Sequence, residues 1–170
     1  MIRLTTKSLT RTAIIAVVYY VVTVAVPALS YGVLQFRVGE ALTLMPLVFP
    51  ESVIGLTLGC FLANITSPFG WPDMLFGSLA TMLAGVLTAI IGRRLKTDKL
   101  VVKCLIGALP PILINAFMLP LVWFLFGLEQ LYWLNVALML ATQSGTIIVI
   151  GTSIILGLDK AKLLQKTKLY

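Results

Sequence analysis

The chain has 170 residues, 59% hydrophobic and 11% charged, with a net charge of +7. Soluble domains carry about 25% charged residues, so there is too little polar surface here to cover a water-facing globule. A mean hydropathy of +1.05 places the chain among integral membrane proteins. Two cysteines without CxxC spacing and no histidine leave the usual zinc and redox motifs unsupported, and Cys60 and Cys104 read as small buried hydrophobes. The placement of the positive charge argues against nucleic-acid binding, because 12 of the 13 basic residues flank apolar runs, the arrangement that sets membrane topology.

In chain order, the basic start MIRLTTKSLTR leads into the apolar run Ala13–Leu29. Further spans follow and no clear cleavage site appears, so the first run is expected as a retained helix over about 10–29. The next block, Ala41–Ile65, is interrupted by Pro46, Pro50 and Glu51. Read as one crossing, it would put the basic start and the cluster Arg93, Arg94, Lys96, Lys99 and Lys103 on opposite sides. Split near Pro50, it gives helices over about 36–48 and 51–65, and Glu51 suits the positive end of the second. The first of these is short: twelve residues at about 1.5 Å each span roughly 18 Å, against a hydrocarbon core of about 30 Å. Such interrupted segments occur where backbone lines a protein-enclosed cavity. Helices over about 72–93, 103–126 and 131–157 complete the chain. The expected fold is one all-α transmembrane domain over residues 1–170, with six helices and both termini in the cytoplasm.

In that topology the polar residues converge outside. Arg37 and Glu40 begin the second helix, three residues apart on one face. Asn64, Ser67, Trp71 and Asp73 lie at the next outer connection, and Tyr132, Trp133 and Asn135 open the last helix. Asn115 and Gln143 sit near the middles of the fifth and sixth helices. Three bland readings stand beside a ligand site. Arg37 and Glu40 could be a local ion pair at a helix end, the aromatics a membrane-interface belt, and Asn115 and Gln143 interhelical hydrogen bonds. Against the first, ionisable residues at membrane depth are functional candidates by default. A flat heterocycle with amino and carbonyl edges suits such donors, acceptors and rings. Thr12 and Ala16, small residues four apart on the first helix, are expected to dock a partner helix. No P-loop is present, so uphill transport would draw its energy from another subunit.

The run YGVLQFRVGEALTLMPLVFPESVIGLTLGCFLANITSPFGWPDMLFGSLATMLAG, from Tyr31 to Gly85, resembles the QueT family, whose members are substrate-binding S components of energy-coupling factor (ECF) transporters. The run departs from the family pattern at Gly39, where serine is expected, and the first helix departs at Thr12, where the usual AxxxA motif of S components would place alanine. The resemblance implies an S-component bundle in the bacterial cell membrane that carries queuosine precursors, compounds of the 7-deazaguanine type. It implies as partners a membrane coupling subunit, EcfT, and two cytoplasmic ATPases, with no cofactor in this chain. The candidate ligand contacts are Arg37 and Glu40, then Gln35, Asn64, Asn115 and Gln143 as amides, Phe36 or Trp71 as stacking rings, and Asp73 as a second carboxylate. Arg37 could hold Glu40 in place or reach the ligand carbonyl. The alternatives are an autonomous permease and an S component for another vitamin-like heterocycle. An intramembrane enzyme would need histidine ligands or paired carboxylates, and the chain has no histidine, DxxxD or ExxxE.

Overall fold

The computed structural model of the chain describes residues 5–31 and 36–164. The described residues are helical, and strands do not occur among them. Helix α1 spans Thr6–Val24, with Thr5 and Ser8 closing a reciprocal cap at its start. It stops short of the expected residue 29 because Pro27 cannot continue it, and Pro27 instead begins the single turn α2, Pro27–Ser30. A 3-10 helix follows over Val38–Leu47. Then come α3 (Ser52–Asn64), a π turn (Asp73–Gly77) continuing into α4 (Ser78–Arg94), and α5 (Leu100–Leu125). Last is a continuous rod made of α6 (Tyr132–Ser144), a π segment (Gly145–Gly151) and α7 (Thr152–Lys160).

Among the described residues four helices are long and apolar enough to cross a membrane: Thr6–Val24, Asp73–Arg94, Leu100–Leu125 and Tyr132–Lys160. The block split at Pro50 supplies two shorter apolar helices, Val38–Leu47 and Ser52–Asn64. The winding of the first differs from expectation. A 3-10 helix rises about 2.0 Å per residue, so its ten residues reach roughly 20 Å rather than 15 Å. Runs of this winding beyond three or four residues are uncommon. Here the surroundings hold it, since every residue from Gly39 to Leu47 is buried. Around it pack α1, α3, α4, α5 and the π segment, and its Leu44 and Leu47 share the main core with Tyr19, Leu56, Cys104, Ala108 and Ile147. The outer faces of the long helices carry Val17, Leu58, Leu83, Leu109 and Leu121, all exposed. An apolar surface of that extent suits acyl chains, not water.

Thr12 and Ala16 do not form a free face. A Cβ at Gly55 would run into the Thr12 carbonyl, and one at Gly59 would sit 2.7 Å from the Ala16 carbonyl. Thr12 is buried, and its hydroxyl donates to the Glu51 carbonyl at 3.3 Å. The small-residue pair is therefore spent inside the chain, against Gly55 and Gly59 of α3, which share its spacing of four. At the same end Arg11 pairs with Glu51 at 3.2 Å and lies over the Phe49 ring.

Candidate ligand site at one end of the bundle

The N-terminus of the 3-10 helix, the C-terminus of α3 and the π turn that opens α4 meet at one end of the bundle. The basic connection between α4 and α5 lies at the other. Arg37, as N-cap, has an extended backbone (φ −89°, ψ 105°), which turns its side chain away from the helix axis. It therefore does not stack over Glu40. Its guanidinium donates to Asp73 Oδ2 at 2.8 Å, Asn64 Oδ1 at 3.0 Å and the Ser30 carbonyl at 3.3 Å, and it lies 5.4 Å from the Tyr31 ring centre. Asp73 Oδ2 also accepts from Ser67 Oγ at 2.7 Å, and Asn64 Nδ2 donates to the Asp73 carbonyl at 3.1 Å. Arg37, Asn64 and Asp73 are all buried. A guanidinium so desolvated is held by its carboxylate and amide partners together.

Glu40 has other partners. Tyr19 Oη donates to Oε1 at 2.6 Å and Asn115 Nδ2 to Oε2 at 3.0 Å. Glu40 is 2% exposed, and it forms no ion pair among the described residues. The local Arg37–Glu40 ion pair, one of the bland readings, does not form, and two separate networks stand in its place. One is a salt bridge that fastens the helix ends together. The other is a carboxylate held only by neutral donors. An ionised carboxylate accepts about four hydrogen bonds, so Glu40 keeps capacity on both oxygens.

Asn115, which bonds Glu40, is one of several buried residues whose polar atoms have nothing to bond. Asn115 Oδ1, Gln143 Oε1, Thr146 Oγ1 and Trp123 Nε1 are buried and lack a partner among the described residues. Each such atom costs about 1–3 kcal/mol if left dry. Asn115 and Trp123 lie eight apart on one face of α5, with Leu119 between them. Gln143 and Met139 lie four apart on α6, which packs against α5. Trp123 is 1% exposed and stacks on Phe69, with ring centres 4.5 Å apart and planes 14° apart. Ala116, Leu119, Trp123 and Met139 form a separate small core there, with Phe69 packed on it.

The structure therefore brings together Glu40 and Asn115, and separately Arg37, Asn64 and Asp73, while Gln143 is buried on α6, which packs against α5. Trp71 lies apart from both, 58% exposed and edge-on to Phe126 at 5.1 Å. Phe36 is half-buried, and Gln35 lies outside the described residues. Tyr19, Phe69 and Trp123 were not anticipated. The signal for Trp123 is its spacing of eight from Asn115, and for Tyr19 its place below the end of α1. Gly39 stands where the QueT pattern has serine. A Cβ there would meet Thr23 Oγ1, so the Thr23 hydroxyl occupies the space a serine side chain would need.

A sequence model of the QueT transporter family matches residues 9–160. Among curated proteins, the chain is 35% identical over 88 residues to the queuosine precursor transporter QueT of Lactococcus lactis subsp. cremoris (strain MG1363). That alignment covers 51% of this chain and 52% of the relative, so the chain spans about half the length of the curated relative it matches. No solved structure matches. With most of its length under the family pattern and its apolar helices able to cross a membrane, the chain belongs to the QueT transporter family.

Proposed function

We propose that this chain is the substrate-binding membrane subunit of an ATP-driven ECF importer for a queuosine precursor of the 7-deazaguanine type. It crosses the bacterial cell membrane six times with both termini inside, counting Val38–Leu47 and Ser52–Asn64 as crossings, and binds its ligand at the outer end. An EcfT-like coupling subunit and two ATPases supply the energy. The family supports transport, and the likeness to the Lactococcus queuosine precursor transporter supports the cargo. Because Thr12 and Ala16 face α3, the docking side of α1 is the opposite one, where Ile14, Val17, Val18 and Val21 are exposed.

The observation that carries the reading is Glu40, a buried carboxylate held only by neutral donors, one of them Asn115, whose own Oδ1 has no partner among the described residues. A 7-deazaguanine presents N1–H and an exocyclic amine as two parallel donors, and a carboxylate accepts such a pair with charge assistance. Its O6 carbonyl can take the Trp123 N–H, and its flat ring suits the aromatic pair Phe69–Trp123. Arg37 serves as a fastener for the helix ends rather than a ligand contact.

The test is calorimetric titration of the purified chain with a panel of 7-deazaguanines and vitamins. Breaking a buried charge-assisted contact commonly costs about 2–5 kcal/mol, so Glu40→Gln should weaken binding roughly 30-fold or more at about 1.4 kcal/mol per tenfold. The variant should stay folded, because a glutamine amide can still pair with the Tyr19 hydroxyl. An unchanged dissociation constant would reduce Glu40 to a structural acceptor, and absence of binding to any 7-deazaguanine would remove the cargo assignment.

A further inference from the structure

At the other end of the bundle, Gly92, Arg93, Leu95, Lys96, Thr97, Asp98 and Lys103 enclose a cavity of about 530 Å³. Basic residues in a membrane protein's loop normally serve topology and stand in water, and Arg93 and Lys96 are exposed as that reading requires. Lys103 is different. It is 7% exposed, lines the cavity and forms no ion pair among the described residues. It also stands in the first turns of α5, where no acidic side chain and no side-chain cap offsets the positive end of the helix. Three cations thus line one cavity with Asp98 as the single acidic group. A cluster of like charges that includes a largely buried lysine is unfavourable alone, and one bound anion relieves it.

We infer that this cavity binds a phosphate group. Phosphate offers several oxygens to one Arg fork and two Lys point charges. The site lies where the apolar run of α4 ends and its basic residues begin, which is headgroup depth for a helix that crosses the membrane. The phosphate comes from an anionic phospholipid or from a soluble phosphate. Only the lipid source depends on the membrane topology proposed above.

The experiment uses the whole chain in neutral detergent, with native mass spectrometry reading bound phosphatidylglycerol, phosphatidylcholine or inorganic phosphate. One phosphatidylglycerol should be retained at least tenfold more tightly than phosphatidylcholine. Lys103→Met should weaken that binding at least tenfold and Lys96→Gln several-fold, while Lys160→Gln, outside the cavity, should not change it. Displacement by millimolar inorganic phosphate identifies a soluble phosphate as the occupant, and resistance to it identifies the lipid headgroup. Either result supports the site. Wild type that neither prefers phosphatidylglycerol nor binds inorganic phosphate overturns it, as do variants that bind like wild type. Should Lys103→Met fail to fold, the exposed Lys96→Gln decides. 7-Deazaguanine titration of the same samples reads the Glu40 site independently, so either site can fail without the other.

Discussion

Replacing Asp73 with asparagine should cost the fold about 3–5 kcal/mol, the usual result of removing one partner from a buried ion pair. The geometry puts this case at the expensive end. Arg37 is 2% exposed, and without the carboxylate its charge rests on two neutral acceptors, Asn64 Oδ1 at 3.0 Å and the Ser30 carbonyl at 3.3 Å. A guanidinium cannot shed its proton to escape, whereas a stranded carboxylate can take one up. Arg37→Met should therefore be milder than Asp73→Asn, although it deletes more atoms. For a chain of this size about 1 kcal/mol moves the melting temperature by roughly 2–4 °C, so Asp73→Asn should lower it by about 6–20 °C. The assay is thermal unfolding in detergent, followed by tryptophan emission, for both single variants and the double. The double variant should recover at least about 2 kcal/mol relative to the sum of the singles. Single costs that add within about 0.5 kcal/mol would refute the idea that the pair fastens the helix ends.

Trp123 is the buried tryptophan, while Trp71 and Trp133 are 58% and 73% exposed, so a 7-deazaguanine bound beside it should quench blue-shifted emission, and Trp123→Phe should abolish the quenching. Val17→Trp on the exposed side of α1 should prevent co-purification with an EcfT-like subunit and leave ligand affinity unchanged; an intact complex would move the docking face elsewhere. Gly55→Leu should destabilise the chain by about 1–3 kcal/mol through overpacking against α1, read by thermal unfolding. Gly157→Ala, with open space around the new methyl, should stabilise α7 by up to about 1 kcal/mol. Both native cysteines are buried, so Trp71→Cys and Thr97→Cys can report topology: impermeant maleimide added outside intact cells should label the first and not the second.

Hydropathy marked the apolar runs that wind into four span-length and two shorter helices among the described residues, because that signal comes from solvent transfer and needs no tertiary partner. The break after α1 was written in Pro27 but outweighed by the apolar run around it. Arg37 and Glu40 were placed on one helix face, but adjacency at a spacing of three holds only when both residues are wound into one helix, and Arg37 is the extended N-cap. The true partners, Asp73 for one and Tyr19 and Asn115 for the other, lie 36, 21 and 75 residues away, distances that local pattern does not reach. Thr12 and Ala16 were assigned outward although GLTLG, Gly55–Gly59, offered an internal surface of matching spacing. Trp123 looked like one more apolar residue in a span; only its phase with Asn115 marks it.

The winding of Val38–Leu47 also limits how this gene can change. At three residues per turn, each residue lost or gained between Glu40 and Leu47 rotates one end against the other by about 120° and slides it by about 2.0 Å. A single deletion would swing Glu40 a third of a turn from Tyr19 and Asn115, or Leu47 a third of a turn from Gly92 and Gly107, whose missing side chains admit it. Removing a full turn would restore the azimuth but shift the depth by about 6 Å. Azimuth and depth cannot both be kept by any small insertion or deletion, so length variation in this chain has to fall in its connections.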